Sequence, residues 1–339
     1  MPHLVLSASP FVKRPYDTPA IMRHVLYSLS PVVLASIYYF GLSALLVTVA
    51  CTAGAVLAEW ALGGKGPLAR SPVADGSALV TAVLLALTLP PGLPLWMAFL
   101  GAVVAVVVGK LLFGGLGHNV FNPSLTGRAF LQASFPVALT TWHRHADLGG
   151  FFALRGDNLA LPFTRPHFDA VTSATPLASM KFDATATPLA DLLFGSTPGS
   201  LGETSAVLIL LGGAYLAWRR FLNWRIPLGI FASVFVLATI LHLIDADKYP
   251  SAAFHLLAGG LALGAVFMAT DPVTSPVTPK GCWVFAVGTG LLVVVIRQFG
   301  GLPEGVMYAI LLMNALTPLI DRFTQSRVYG TGNKRGDAP

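Results

Sequence analysis

Charge is what this sequence has least of. Only 11% of its 339 residues are Asp, Glu, Lys or Arg, against 55% hydrophobic. Soluble domains carry roughly 25% charged residues, so this chain has too few polar groups to cover a surface in water. That excludes an ordinary soluble enzyme, and the repeated apolar runs point to a polytopic membrane protein. Cysteine is equally scarce. Cys51 and Cys282 both fall in apolar stretches and no CxxC or CxxCH occurs, which removes support for a disulfide framework, a zinc site or c-type haem attachment. The two are read as buried, inert thiols. The histidines form no i, i+4 pair, so a di-haem site has little to stand on. The net charge of +6 is no sign of a nucleic-acid partner, because basic residues in a membrane protein mark its cytoplasmic side. No cleavable signal peptide is evident. The first twenty residues are mixed polar, with Pro10, Pro15 and Pro19, and read as a short cytoplasmic lead-in.

What is present is a succession of ten apolar segments, at about 25–41, 42–62, 76–90, 95–113, 122–136, 205–218, 226–244, 253–270, 282–299 and 305–323. The third, fifth and sixth fall short of the roughly 20 residues a full span needs. Short segments beside Pro or Gly, such as Leu89-Pro90-Pro91-Gly92, fit broken helices whose loose ends face protein rather than lipid. With the N-terminus inside, 15 of the 21 basic residues fall in cytoplasmic segments, among them Lys110 and Arg128. Both termini are therefore expected in the cytoplasm and the loop from about 136 to 203 outside it.

An internal repeat reinforces this layout. Phe113-Gly114-Gly115-Leu116 recurs as Phe299-Gly300-Gly301-Leu302 at an offset of 186, and Thr88-Leu89-Pro90 pairs with Thr274-Ser275-Pro276 at the same offset. Each pair flanks a Gly/Val-rich helix that ends in a basic residue, Lys110 or Arg297. Five spans per repeat is an odd number, so the halves must be inverted in the bilayer, an arrangement that sets a ligand or ion pathway at the shared interface. The expected fold is an all-α polytopic membrane protein of about ten transmembrane helices in two inverted five-helix repeats. Five parts follow: an N-terminal segment (1–24), the first repeat (25–136), a polar loop (137–203), the second repeat (204–323) and a C-terminal tail (324–339).

Ionisable residues in or near spans are Glu59, Asp271, Glu304 and Asp321, with His24, His118, His242 and His255. Such groups are costly at membrane depth and mark pairs or ion pathways, although most lie within a turn of an expected end, where they can reach water. Asp271-Pro272-Val273-Thr274-Ser275-Pro276 is a rigid turn that continues neither flanking helix. Two readings stand level: a helix break capped by Asp271, or a turn whose Asp271 and Thr274 line an ion or cofactor site.

The long polar loop carries the most suggestive stretch, Asp169-Ala170-Val171-Thr172-Ser173-Ala174-Thr175-Pro176-Leu177-Ala178. A loop of that length without obvious secondary structure is more often functional than idle. No histidine base accompanies Thr175, so it is a poor candidate nucleophile. It can instead be the substrate of a separate enzyme that reads the local sequence: Ser173 and Ala174 leave access, Pro176 fixes the backbone beyond, and Asp169 offers a recognition point. A plain polar loop of small residues is the competing reading.

These ten residues resemble the flavinylation motif of the RnfD and NqrB family, Asp-x-x-(Ser/Thr)-Gly-Ala-Thr, whose last threonine takes FMN through a phosphoester bond. Asp169, Thr172, Ala174 and Thr175 match, and Ser173 stands where the family usually has glycine. A near-copy ending at Thr187 has Lys181 where the motif needs its aspartate. The resemblance extends along the chain. Phe121-Asn122-Pro123 with Gly127-Arg128-Ala129-Phe130 is similar to the family's fifth-helix signature. Met268 to Pro276 resembles its eighth-to-ninth connection, and Arg297, Gly305-Val306, Met313-Asn314 and Pro318 to Asp321 resemble its C-terminal end.

The resemblance implies a membrane subunit of the Rnf complex of the bacterial inner membrane, which moves electrons between ferredoxin and NAD and couples them to Na+ or H+ movement. It implies a covalent FMN on Thr175 facing the periplasm, a non-covalent riboflavin, other membrane and peripheral subunits as partners, and a flavin transferase for maturation. Arg165 and Lys181 are close enough in sequence to pair with the flavin phosphate. Two other classes remain open: a solute channel or transporter built on the same inverted repeat, which would have no use for Asp169 to Thr175, and a scaffold for partner subunits, in which Thr175→Ala would be silent in electron transfer.

Overall fold

The computed structural model describes residues 16–63, 72–143, 151–162 and 174–325, apart from 184, 186, 196 and 247. Asp169, Thr172, Ser173 and Arg165 lie outside the described residues. Fourteen α-helices are found among those described: α1 (Thr18–Phe40), α2 (Leu42–Gly63), α3 (Ser77–Thr88), α4 (Leu95–Val107), α5 (Pro123–Ser134), α6 (Pro136–Thr140), α7 (Pro176–Asp183), α8 (Leu189–Phe194), α9 (Ala206–Trp218), α10 (Arg225–Ile244), α11 (Ala252–Leu257), α12 (Leu261–Leu263), α13 (Pro279–Phe299) and α14 (Val306–Thr324). A π-helical turn, Gly264–Met268, continues α12. A 3-10 turn, Leu201–Thr204, precedes α9.

Among the described residues, six helical stretches are long and apolar enough to cross a membrane: Thr18–Phe40, Leu42–Gly63, Leu95–Phe113, Arg225–Ile244, Pro279–Phe299 and Val306–Thr324. The ten expected segments therefore divide into full spans and interrupted ones. α3, α5 and α9, the three judged short from sequence, have 12, 12 and 13 residues, about half a bilayer at 1.5 Å per residue. α3 is buried along nearly its whole circumference, as a half-helix enclosed by other helices should be. The eighth segment, 253–270, reads as one continuous span but is broken into α11, α12 and the π turn. Gly259 sits at the break with φ +70°, a left-handed conformation that residues with a Cβ adopt only at a cost.

The two halves repeat their packing. α2 lies along α4 and α10 along α13, the two most extensive helix pairs, while α1 meets α9 and α5 meets α14 across the middle. Small residues allow the close approach: a methyl group added to Gly54 on α2 would strike the Phe99 carbonyl of α4. The equivalent helices run in opposite directions. α4 starts on the face that bears the polar loop, where Leu95 N–H donates to Asn158 O at 3.0 Å. α13 ends on that same face, where its last carbonyls meet Lys181. The α1 start, the 271–278 connection and the α14 end gather on the opposite face, joined by a cavity lined by Ile21 and Asp271 and by a Thr278–Thr324 hydroxyl contact of 2.6 Å.

The polar loop is less featureless than its sequence suggests. It contains α6, α7 and α8, each of eight residues or fewer and started by proline at or just before its first turn, where a missing N–H costs nothing. Both cysteines are buried: Cys51 faces the Ala98 carbonyl at 3.6 Å and Cys282 the Pro276 carbonyl at 3.1 Å.

Candidate functional site

Thr175 is the N-cap of α7. Its Oγ1 accepts from Ala178 N–H at 3.2 Å and its carbonyl from Ser179 N–H at 2.8 Å, the pattern that satisfies a first-turn donor. The residue is 8% exposed. The next residue but one, Leu177, packs with Leu192, Phe254 and Ala258 in a small apolar cluster that ties α7 to α8 and α11. Farther along α7, the Lys181 amine donates to three carbonyls at the end of α13: Arg297 (2.9 Å), Gly300 (2.5 Å) and Leu302 (3.2 Å). A cation is favoured there by the negative end of the helix. The amine that sequence proximity assigns to a flavin phosphate is thus engaged elsewhere, and its pKa is lowered by burial.

Two arginines do for the broken helices what Lys181 does for α13. Arg128, on α5, donates to the Thr88 carbonyl at the end of α3 and to Glu304 Oε2 at 2.5 Å. Arg297 donates to the carbonyls of His255 (2.7 Å) and Ala258 (2.9 Å) at the end of α11. Helix ends inside a membrane protein leave carbonyls that water cannot reach, and buried cations resolve them. The charge tally places Arg128 among the cytoplasmic residues and lets Glu304 reach water. The structure places Arg128 on the loop side instead, paired with Glu304, whose side chain is 23% exposed and does reach water.

These elements line a common recess. Thr175 lies on its wall. Arg128, Glu203 and Glu304 supply charge, Trp142 and Tyr308 aromatic faces, and Leu139 and Met307 apolar surface. Glu304 Oε1 also accepts from Gly260 N–H at 3.1 Å. Burial alone would raise the pKa of Glu304, but the charges of Arg128 and then Arg297 outweigh it, so Glu304 is held below the usual carboxylate range. For Glu203, burial and the Glu304 charge together push the pKa up to about 8. Sequence reading misses Glu203 altogether, and no local motif marks it.

Asp271 and Thr274 are on the opposite face and are not brought near Thr175. Asp271 accepts from Val273 N–H (3.2 Å) and from the Thr274 hydroxyl (3.4 Å), which makes it a cap. Asp271 also lines a cavity with Lys110, Asn119 and Asn122, whereas Thr274 is not on its wall. Lys110 there forms a buried pair with Glu59 and donates to Ser77 Oγ at the start of α3 at 2.5 Å. Asn122 Nδ2 donates to Met268 O at 3.1 Å, so two of the stretches that carry the family resemblance touch across the repeat interface.

Comparison with known proteins settles what that resemblance is worth. The model of the NQR2, RnfD, RnfE family matches residues 5–330. The chain belongs to this family. Its relatives include the D subunit of an ion-translocating oxidoreductase complex of Halorhodospira halophila, 41% identical over 96% of this chain and 95% of the relative. The D subunit of a proton-translocating ferredoxin:NAD(+) oxidoreductase complex of Clostridium ljungdahlii is 39% identical over 96% of each chain. The D subunit of a Na(+)-translocating ferredoxin:NAD(+) oxidoreductase complex of Acetobacterium woodii is 38% identical over 99% of this chain and 98% of the relative. Family membership thus extends over both repeats and the loop between them.

Proposed function

We propose that this chain is the membrane-embedded D subunit of an ion-translocating ferredoxin:NAD oxidoreductase complex, a redox-driven translocase, and that it carries FMN as a phosphoester on Thr175. The family and the names of its relatives support the first part. The observation that carries the second is where Thr175 stands: on the wall of a recess that combines aromatic, apolar and charged surface. A phosphate on Thr175 Oγ1 would meet the positive end of α7, and Pro176 at the first helical position gives up no needed N–H. Trp142 and Tyr308 supply aromatic surface and Arg128 positive charge to the same recess. FMN, when bound, supplies one- and two-electron transfer. The chain's own contribution is to hold it: Leu177 and Lys181 fix α7.

The bacterial relatives support a place in the inner membrane, and the basic residues favour both termini in the cytoplasm with the 137–203 loop in the periplasm. Other subunits of the complex are the electron donors and acceptors, and a flavin transferase reads Asp169 to Thr175. The cavity beside Asp271 is the candidate for a non-covalent riboflavin or the translocated ion. The doubled, interrupted helices also suit a solute channel, which would carry no flavin.

The test is ultraviolet fluorescence of the denatured protein on a gel, after co-expression with a flavin transferase. Fluorescence is expected in wild type and Thr187→Ala and absent in Thr175→Ala. Fluorescence retained in Thr175→Ala would move the attachment elsewhere. No fluorescence in any lane, with an active transferase, would put the channel ahead.

A further inference from the structure

The recess beside Thr175 holds two acids that arrive from distant parts of the chain. Glu203 comes from the 3-10 turn before α9 and Glu304 from the connection between α13 and α14. They converge on Gly260. A Cβ at that position would stand 2.7 Å from Glu304 Oε1 and 3.8 Å from Glu203 Oε1. The two carboxyl groups therefore face the same point of the recess. Two ionised carboxylates so placed repel each other, and a proton on one of them relieves the repulsion.

Geometry decides which. Arg128 lies 2.5 Å from Glu304 Oε2 and Gly260 N–H lies 3.1 Å from Oε1, so both oxygens of Glu304 are occupied by donors and it is the ionised member. Glu203 has no cation in contact among the described residues. Its remaining partner is Ser200. We propose that Glu203 and Glu304 form a one-proton carboxyl–carboxylate pair that exchanges its proton with water through the recess, and that this proton answers the charge of a redox group on Thr175.

Like charges at short range cannot both persist in a low-dielectric recess, which is why such a pair keeps one proton. The raised pKa of Glu203, about 8, places loading and unloading close to neutral pH. Arg128 from α5 and Arg297 from α13 are the facing cations, with His255 of α11 behind Arg297 and the phenol of Tyr308 on α14. α3 carries no titratable side chain, α1 presents none that acts on either carboxyl, and the Lys181 amine of α7 is turned to α13. An electron that arrives on a group at Thr175 adds one negative charge, and a proton taken from water by Glu203 offsets it. On oxidation the proton returns to water. No covalent bond to the redox group changes.

Proton sharing stands on the carboxyl geometry alone, whereas its coupling to an electron rests on the proposed flavin. The first test therefore leaves the flavin out. Infrared spectra of the full-length chain bearing Thr175→Ala, in lipid nanodiscs, should contain one deuterium-sensitive protonated-carboxyl band that titrates around the raised value. Adding Glu203→Gln, which is nearly isosteric, should abolish it. Glu304→Gln should shift the titration to lower pH by removing the like charge. A band untouched by Glu203→Gln, or no carboxyl titrating in that region, would overturn the pair. The second test is a redox titration of the intact complex. The potential of the attached flavin should lose part of its pH dependence in Glu203→Gln, and an unchanged dependence would overturn the coupling. A titrating band in a complex that carries no flavin would support the pair and refute only the attachment at Thr175.

Discussion

The amine of Lys181 lies 2.9 Å from the carbonyl oxygen of Arg297, and through that contact the helix capped by Thr175 is fastened to the second repeat. The loop that carries Thr175 lies between the two repeats in sequence, and its helix α7 packs on the second. α7 touches α8 and α11 through Leu177 and the end of α13 through Lys181. Whatever is attached at Thr175 is thereby held against the helices that build the recess.

Replacing that amine is the most direct test of the fastening. Lys181→Met keeps the aliphatic stem and removes three donors. Hydrogen bonds from charged groups contribute about 1.5–3 kcal/mol each at best, but partial exposure lowers their sum, and a loss of about 1–2 kcal/mol is expected. The melting temperature of the solubilised protein should fall, and Lys181→Arg should recover part of the loss. A melting temperature unchanged in Lys181→Met would show that α7 is held by Leu177 alone.

Arg128 and Glu304 should behave as a unit. Arg128 is buried but the Glu304 side chain is 23% exposed, so removing one member should cost less than the roughly 3–5 kcal/mol of a fully buried pair. Arg128→Leu also strips the Thr88 carbonyl of its donor. Folded yield by size-exclusion chromatography should collapse for Arg128→Leu. The double substitution Arg128→Gln with Glu304→Gln should recover more protein than Arg128→Gln alone. Equal yields for the single and double variants would mean that the two side chains are not energetically coupled.

The same logic applies on the other face. Lys110 and Glu59 are 2% and 0% exposed, and Glu59 Oε2 has no partner among the described residues. Lys110→Met and Glu59→Gln should each destabilise, because either one strands the buried charge of the partner. Lys110→Met with Glu59→Gln should be milder than Lys110→Met alone. Thermal melts of the four proteins form a double-mutant cycle, and a coupling energy near zero would sink the argument.

The membrane architecture was legible because apolar segments are long and their interruptions are written in Pro and Gly. Leu89-Pro90 ends α3 where the sequence says it must. The cut in the 253–270 segment was not legible. The residues around Gly259 and Gly260 are as apolar as those of a continuous span, and the break becomes necessary only once Arg297 and Glu304 arrive to receive the exposed carbonyl and N–H groups. Thr175 could be picked out by its motif. Its recess could not, because Arg128, Glu203 and Glu304 are joined by tertiary packing across 176 positions or fewer and none has a distinctive neighbour. A tally of charges also treats every basic residue as if it sat at a helix end, which fails for Arg128 because it lies inside α5.

Glu203 gives a pH signature in stability that is separate from any redox measurement. Its folded pKa, about 8, lies above the ordinary value of 4.5, so the folded state binds the proton more tightly than the unfolded state does. Stability then falls as pH rises between those two values and levels off above the upper one, since the slope follows the difference in bound protons. This is the reverse of a salt-bridged carboxylate such as Glu304, whose lowered pKa contributes stability above its unfolded value that is lost as pH falls through the folded one. Melting temperatures of wild type and Glu203→Gln, measured in one detergent across that interval, should converge at the acid end. They should diverge toward the upper value, with the variant the more stable, because glutamine never has to ionise beside Glu304. Parallel curves across the interval would mean that Glu203 ionises as freely in the folded protein as in the unfolded chain, and the recess would then contain two ordinary carboxylates.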